Sequence, residues 1–211
     1  MVLEFFPDTH EYKLDGAFVP SVTGILRASG VVDFSGVRPD VLESARVRGV
    51  VVHQAIHYVN ERDLDVDQFC RDYPDYAGYL RAWLAFVSQR NFLPVFCEYR
   101  VASARYRIAG TIDCLGILDG AGALIDFATG NPADAAKDLQ TAAYHGIAHD
   151  YAQHDRRLGD FLSRYVVRRY AVALSRDGSF SVEAYRDPSD WRTFLTLLSA
   201  EQIRTNRRGP A

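Results

Sequence analysis

Two aspartates on either side of a hairpin signal, Asp113 and Asp126, are the side chains of this sequence best placed to do chemistry. With the strand period of two, Ala109, Thr111, Asp113, Leu115 and Ile117 share one face, and Ile108, Gly110, Ile112, Cys114 and Gly116 share the other. A second alternating run, 123–128, groups Leu124, Asp126 and Ala128. Asp119-Gly120 between the runs is a strong two-residue hairpin signal. With that loop Leu118 pairs with Ala121, and Asp113 falls opposite Asp126. A longer loop through Gly122 makes the pair diagonal but leaves both on one face. Facing Cβ atoms on antiparallel strands are about 5 Å apart. Carboxylates that close repel unless a cation lies between them. The competing interpretation is a surface hairpin with solvated aspartates, which the apolar neighbours of both residues disfavour. Asn131-Pro132 then reads as an N-cap and an N1 proline, opening a helix to about Tyr151 that sets Gln140 and Tyr144 on one face. Carboxylates on paired strands with polar groups on the next helix suit a metal-bound phosphate.

Other elements must position this hairpin. Leu3 to Val19 reads as two short strands around Asp15-Gly16, followed by a helix from Pro20-Ser21 to about Ser29 with Ser21 as its N-cap. Helical spacing runs from Pro39 to Asn60, with Leu42, Ala45, Gly49, Val52, Ile56 and Val59 as the apolar stripe and His53 at its border. Taken alone, such a histidine is usually a satisfied core residue. Tyr73 to Arg90 is a helix whose aromatic stripe reads as core rather than a base-stacking platform. Leu93 to Val101 is a strand carrying Glu98, which reads by default as an exposed edge residue. Strands at Tyr165 to Leu174 and Ser179 to Tyr185 flank Asp177-Gly178, and a last helix spans about Trp191 to Thr205, with Asn206 to Ala211 as a frayed tail.

Gly110-Thr111-Ile112-Asp113, then Ile125-Asp126-Phe127-x-Thr129-Gly130, then Gln140-x-x-x-Tyr144 resembles the RecB-like branch of the PD-(D/E)XK nucleases. Arg48-Gly49-x-x-x-His53 resembles that branch's upstream histidine motif, and the N-terminal PDTHEYKLDGAFVPSVTGIL resembles the opening of phage-encoded members. The resemblance implies an α/β (α+β) fold with a restriction-endonuclease-like core, a central mixed β-sheet flanked by helices. It implies one nuclease domain over 1–211, divided into an N-terminal hairpin and helix (1–30), a catalytic core (39–152) and a C-terminal hairpin and helix (164–205). His53, Asp113, Asp126 and the Phe127 carbonyl, with Glu98 as a further candidate, would hold one or two Mg²⁺ or Mn²⁺ ions. Gln140, Tyr144, Arg48, Thr129, Lys137, Arg105 and Arg107 are the candidate DNA contacts. The implied activity is exonucleolytic hydrolysis of linear, single-stranded DNA with a free end, in phage or bacterial recombination and repair, with phage recombination proteins as partners.

One position departs from the pattern: the family lysine is Ala128. Three explanations stand: a substitution that traps an uncleaved complex, a naturally inactive DNA-binding relative, or a lysine moved to Lys137, three before Gln140. The first is favoured because the surrounding motif residues are intact, so this chain is expected to bind metal and DNA while cleaving poorly, with a catalytically inactive recombination accessory protein as the alternative function. A zinc peptidase using His53 and His57 lacks its glutamate base, because Gln54 stands there. His145 and His149 read as exposed rather than as a zinc pair.

Composition bounds the rest. The 211 residues are 48% hydrophobic and 24% charged, ordinary globular values for one domain. A net charge of −3 does not advertise nucleic-acid binding, although a groove can be locally basic. Arginines cluster at 100, 105 and 107, at 164, 168 and 169, and at 204, 207 and 208. Cys70, Cys97 and Cys114 lack the spacing of a zinc site, a disulfide framework or an iron–sulfur cluster, so none is expected. Without a signal pattern or an apolar run of membrane length, a cytoplasmic location and no membrane partner are expected.

Overall fold

The computed structural model describes residues 1–130 and 136–208. Two sheets organise them. A small antiparallel sheet holds β1 (Leu3–Phe6), β2 (Glu11–Leu14) and β3 (Ala17–Val19). The main sheet holds β4 (Leu93–Ser103), β5 (Ile108–Leu118), β6 (Ala121–Ala128), β7 (Val167–Leu174) and β8 (Phe180–Tyr185) in that order. All its pairings are antiparallel except β6 with β7, so the sheet is mixed. The parallel step needs a long crossover, made by α5 (Lys137–Tyr151) and α6 (Arg156–Arg164). The remaining helices are α1 (Val22–Ala28), α2 (Pro39–Asn60), α3 (Val66–Asp72), α4 (Pro74–Gln89) and α7 (Ser189–Arg208). The fold is therefore α/β, a mixed five-stranded sheet flanked by helices.

Local signals account for much of this. Asp119 (φ 51°) and Gly120 (φ 77°) both lie in the left-handed region of a primed turn, and Leu118 pairs with Ala121. Ser21 caps α1 by accepting from the Gly24 N–H at 3.0 Å. The proposed Asn131-Pro132 cap lies outside the described residues. Other expectations need correction. The N-terminal segment has a third strand, and α3 and α6 were not anticipated from the sequence. The last helix continues to Arg208, so 206–208 are not a frayed tail.

The α2 stripe is buried only in its second half, at Val52, Ala55 and Ile56. Leu42 is exposed, and α2 packs into the core through Val51, Val52, Ala55, Ile56 and Val59. His53 sits just inside that boundary.

The two faces of the main sheet carry separate apolar clusters. One packs β-strand residues against α1, α5, α6 and α7, and the other packs them against α2, α3 and α4. Both β4 and β5 change phase at a single rung. On β5, Ile108 and Ile112 belong to the first cluster but Cys114 and Leu118 to the second. On β4, Cys97 packs on the second cluster and Tyr99 on the first. The expected common face for Ile108, Ile112 and Cys114 is therefore broken. The cause lies at Glu98 and Asp113: Glu98 has φ 47°, and the pairs on either side of it are Cys97 with Cys114 and Tyr99 with Ile112. A left-handed glutamate inside a strand costs on the order of 1–3 kcal/mol. Here that conformation re-aims a side chain, as bulges beside functional sites do.

Candidate metal centre

The phase change brings Glu98 and Asp113 to one small cavity. His53 arrives from α2 with its ring centroid 4.2 Å from that of Phe127. Its Nδ1 lies 3.2 Å from Glu98 Oε1 and 3.7 Å from Asp113 Oδ1. Ligand atoms of these three residues all lie within 4.8 Å of one another, close enough for one cation. Asp113 accepts at Oδ2 from the Phe127 N–H at 3.0 Å. That bond replaces strand pairing: the β5–β6 ladder ends at Cys114 with Ile125, one step before Asp113 and Asp126.

Asp126 lies deeper, with a side chain 1% exposed and no hydrogen bond to Oδ1 from a described residue. Its counter-charge is the Lys137 ammonium, in an ion pair with Oδ2. Lys137 also donates to Gln140 Oε1 at 3.2 Å, and the Gln140 amide reaches the Tyr144 hydroxyl at 3.4 Å. Tyr144 fits because residue 110 is glycine: a Cβ there would stand 2.6 Å from the tyrosine ring.

The cavity measures about 210 Å³ and is lined by all of these side chains except Cys114 and its neighbours on the far face. His10, Tyr12 and Thr23 complete the wall and were missed in the sequence. The N-terminal sheet is held there because Ala109 N–H donates to Pro20 O at 3.1 Å and Tyr12 OH meets Thr111 Oγ1 at 2.8 Å. A buried tyrosine needs a hydroxyl partner, but nothing local in the sequence says which strand supplies it.

Charge is crowded in this space. Burial, then the Asp126 carboxylate, pushes the Asp113 carboxyl up to about 8. Burial lowers the His53 imidazole, but Asp113 and Glu98 outweigh it and raise it to about 9. For Lys137 burial likewise lowers the pKa, while Asp126 and Asp113 reverse the effect and keep the ammonium charged. An oxygen-rich set with one imidazole, a buried carboxylate with one oxygen free of hydrogen bonds among the described residues, and mutually repelling acids fits a divalent cation such as Mg²⁺ or Mn²⁺.

The remaining sequence candidates divide. Arg48 donates to Thr129 Oγ1 at 3.0 Å, so these two meet outside the cavity lining. Ala128 pairs with Ala173 and does not line the cavity. Arg105 and Arg107 belong to the β4–β5 turn, where Arg105 lies over the Tyr106 ring, and neither is brought to this site. His145 is half-buried rather than exposed, with Nε2 3.3 Å from that of His149.

No family model matches the sequence, and no curated protein matches it. Among solved structures, one from Eubacterium rectale, named as a candidate exonuclease, is similar at 11% identity and a TM-score of 0.48. The match covers 76% of this chain and 66% of that one, just under two thirds of its length. A likeness of that degree leaves activity to the residues themselves. Among the described residues no helix is long and apolar enough to cross a membrane.

Proposed function

We propose that this chain is a metal-dependent deoxyribonuclease, and that Lys137 takes the part of the lysine missing at position 128. The observation that supports this most is the buried Asp126 carboxylate, placed between a three-residue ligand cluster and a buried ammonium. His53, Glu98, Asp113 and Asp126 would hold the ion. When bound, Mg²⁺ or Mn²⁺ supplies a water of lowered pKa and withdraws charge from a phosphate. Lys137 offsets the negative charge that builds on the phosphoryl oxygens, a role its desolvated position strengthens. Gln140 holds that ammonium in place, and Tyr144 holds Gln140. Gly110 leaves room for the tyrosine.

Linear single-stranded DNA with a free end is the proposed substrate, following the RecB-like pattern of the motifs. The same pattern suggests phage or bacterial recombination as the setting. Ala128 itself favours a second function, DNA binding without cleavage. End-labelled linear and closed circular single-stranded DNA, each with Mg²⁺, Mn²⁺ or chelator, separates the two. Metal-dependent loss of the linear strand alone supports the exonuclease. Cleavage of both forms makes it an endonuclease. Binding without cleavage in any metal leaves only the accessory protein.

A further inference from the structure

A larger cavity of about 660 Å³ lies on the other face of α5, lined there by Ala142, His145 and Gly146, and it shares no residue with the cavity of the metal centre. A pair of thiols, by contrast, adjoins that centre directly. Cys97 on β4 faces Cys114 on β5 in the strand register, and their Sγ atoms are 3.4 Å apart. The residue after Cys97 is Glu98, and the residue before Cys114 is Asp113. Thiols and carboxylates therefore hang from adjacent steps of the same two strands. The thiols turn away from the cavity, toward the apolar cluster under α2, α3 and α4.

The two sulfurs differ in access. Cys114 is fully buried, whereas Cys97 is half-buried. Asn60, the last residue of α2, donates from Nδ2 to Cys97 Sγ at 3.3 Å. Its Oδ1 accepts from the buried Trp83 indole N–H at 2.9 Å, which sets the direction of the amide and so holds its donor toward the sulfur. A single buried cysteine packs as a small hydrophobe. Two that touch, one of them reachable from solvent, make an attacking thiol and a resolving thiol.

We propose that Cys97 and Cys114 are a peroxide-sensitive pair whose disulfide weakens the candidate metal centre. The Cys97 sulfur attacks one oxygen of hydrogen peroxide: the S–O bond forms, the O–O bond breaks, and the departing hydroxide leaves as water with the thiol proton. The Cys114 sulfur then attacks the Cys97 sulfur: the S–S bond forms, the S–O bond breaks, and the second hydroxide leaves as water with the Cys114 proton. Two thiols and one peroxide become one disulfide and two waters, the pair being oxidised and the peroxide reduced by two electrons.

Facing strand positions keep their Cβ atoms about 4.5–5.5 Å apart, whereas a disulfide holds them about 3.5–4.5 Å apart. Closing the bond draws β4 and β5 together one residue from Asp113 and from Glu98, whose left-handed backbone (φ 47°) aims it into the cavity. Ligand distances in a fitted metal site hold within about 0.2 Å, so the disulfide loosens the ion. The bond itself forms without metal; its effect on the ion rests on the metal centre proposed above.

The test treats the full chain with hydrogen peroxide and removes the peroxide. One portion is digested with trypsin, and the rest is titrated with Mn²⁺, the free ion being read by electron paramagnetic resonance. Trypsin releases Cys97 in peptide 91–100 and Cys114 in peptide 108–137, so the disulfide appears as these two peptides linked. The expected result is the linked pair, with Mn²⁺ affinity lowered about tenfold or more, the scale of disturbing the surroundings of metal ligands. A thiol reductant should reverse both. Cys97→Ser should bind Mn²⁺ as the reduced chain does, before and after peroxide. Peroxide that leaves both thiols free, carries Cys97 to a sulfinic acid, or links Cys70 instead overturns the pair. Linked peptides with unchanged Mn²⁺ affinity overturn the control of the metal centre, as does an equal loss in Cys97→Ser. Failure of the reduced chain to bind Mn²⁺ overturns the metal centre and that control together, while the peptide linkage decides the thiol pair by itself.

Discussion

The two cavities on either side of α5 are opposites. The smaller, about 210 Å³, gathers His53, Glu98, Asp113, Asp126 and Lys137. The larger, about 660 Å³, is walled by arginines. In the first, charged groups are held out of water against their own repulsion, and the crowding shifts Asp113 and His53 upward. In the second, Arg168 and Arg186 remain in solvent. Size therefore points away from the chemistry. Burial of groups that favour opposite charge states is the better guide to where reaction could occur.

The sharpest contrast within the first cavity is between its two aspartates. Asp126→Asn removes the counter-charge of a buried lysine and should cost about 3–5 kcal/mol of stability. Asp113→Asn relieves carboxylate repulsion and should leave the metal-free fold as stable or more so. Chemical denaturation in chelator checks both, and equal destabilisation would mean that Lys137 is not held by Asp126. Both variants should lose metal-stimulated cleavage.

Gly110→Ala should displace Tyr144 and, through Gln140, loosen Lys137. Overpacking of this kind costs about 1–3 kcal/mol, and a thermal melt alongside a cleavage assay would show both effects. A neutral result would remove Tyr144 from the positioning chain.

The cavities also differ in response to pH. Asp113, raised to about 8, and His53, raised to about 9, bind more protons folded than unfolded. Their contribution is fully present below the unfolded values and is lost as pH rises through about 8 and then 9. A bound divalent cation replaces those protons, so Mn²⁺ should reduce the alkaline loss. His145 behaves oppositely. Burial, then His149 and Arg169, lowers it to about 4, so its contribution falls as pH drops from 6.5 toward 4. Melting curves across pH, with and without Mn²⁺, distinguish the two.

Much of the candidate metal centre was legible because it is local. Asp119-Gly120 fixed the hairpin register, and four-residue spacing placed Gln140 beside Tyr144. Three placements were not legible in the residues themselves, although Glu98 and Lys137 were candidates. Glu98 reaches the site through a left-handed backbone that no side-chain pattern announces. Lys137 meets Asp126 from the following helix, and no local spacing rule sets a residue of that helix against β6. Tyr12 and His10 come from a hairpin about a hundred residues from Thr111, and long-range docking of that kind leaves no periodicity. The buried pairing of Arg169 with Asp190 was likewise hidden in a sequence cluster where Arg168 and Arg169 look alike.

The most direct test of the account is single-turnover cleavage of end-labelled linear single-stranded DNA in Mn²⁺ by the chain as it stands, by Lys137→Met and by Ala128→Lys. The account predicts cleavage by the unaltered chain, a loss on the order of 10²–10³ in rate for Lys137→Met, and little gain from Ala128→Lys. Cleavage undiminished in Lys137→Met, or appearing only in Ala128→Lys, would contradict it.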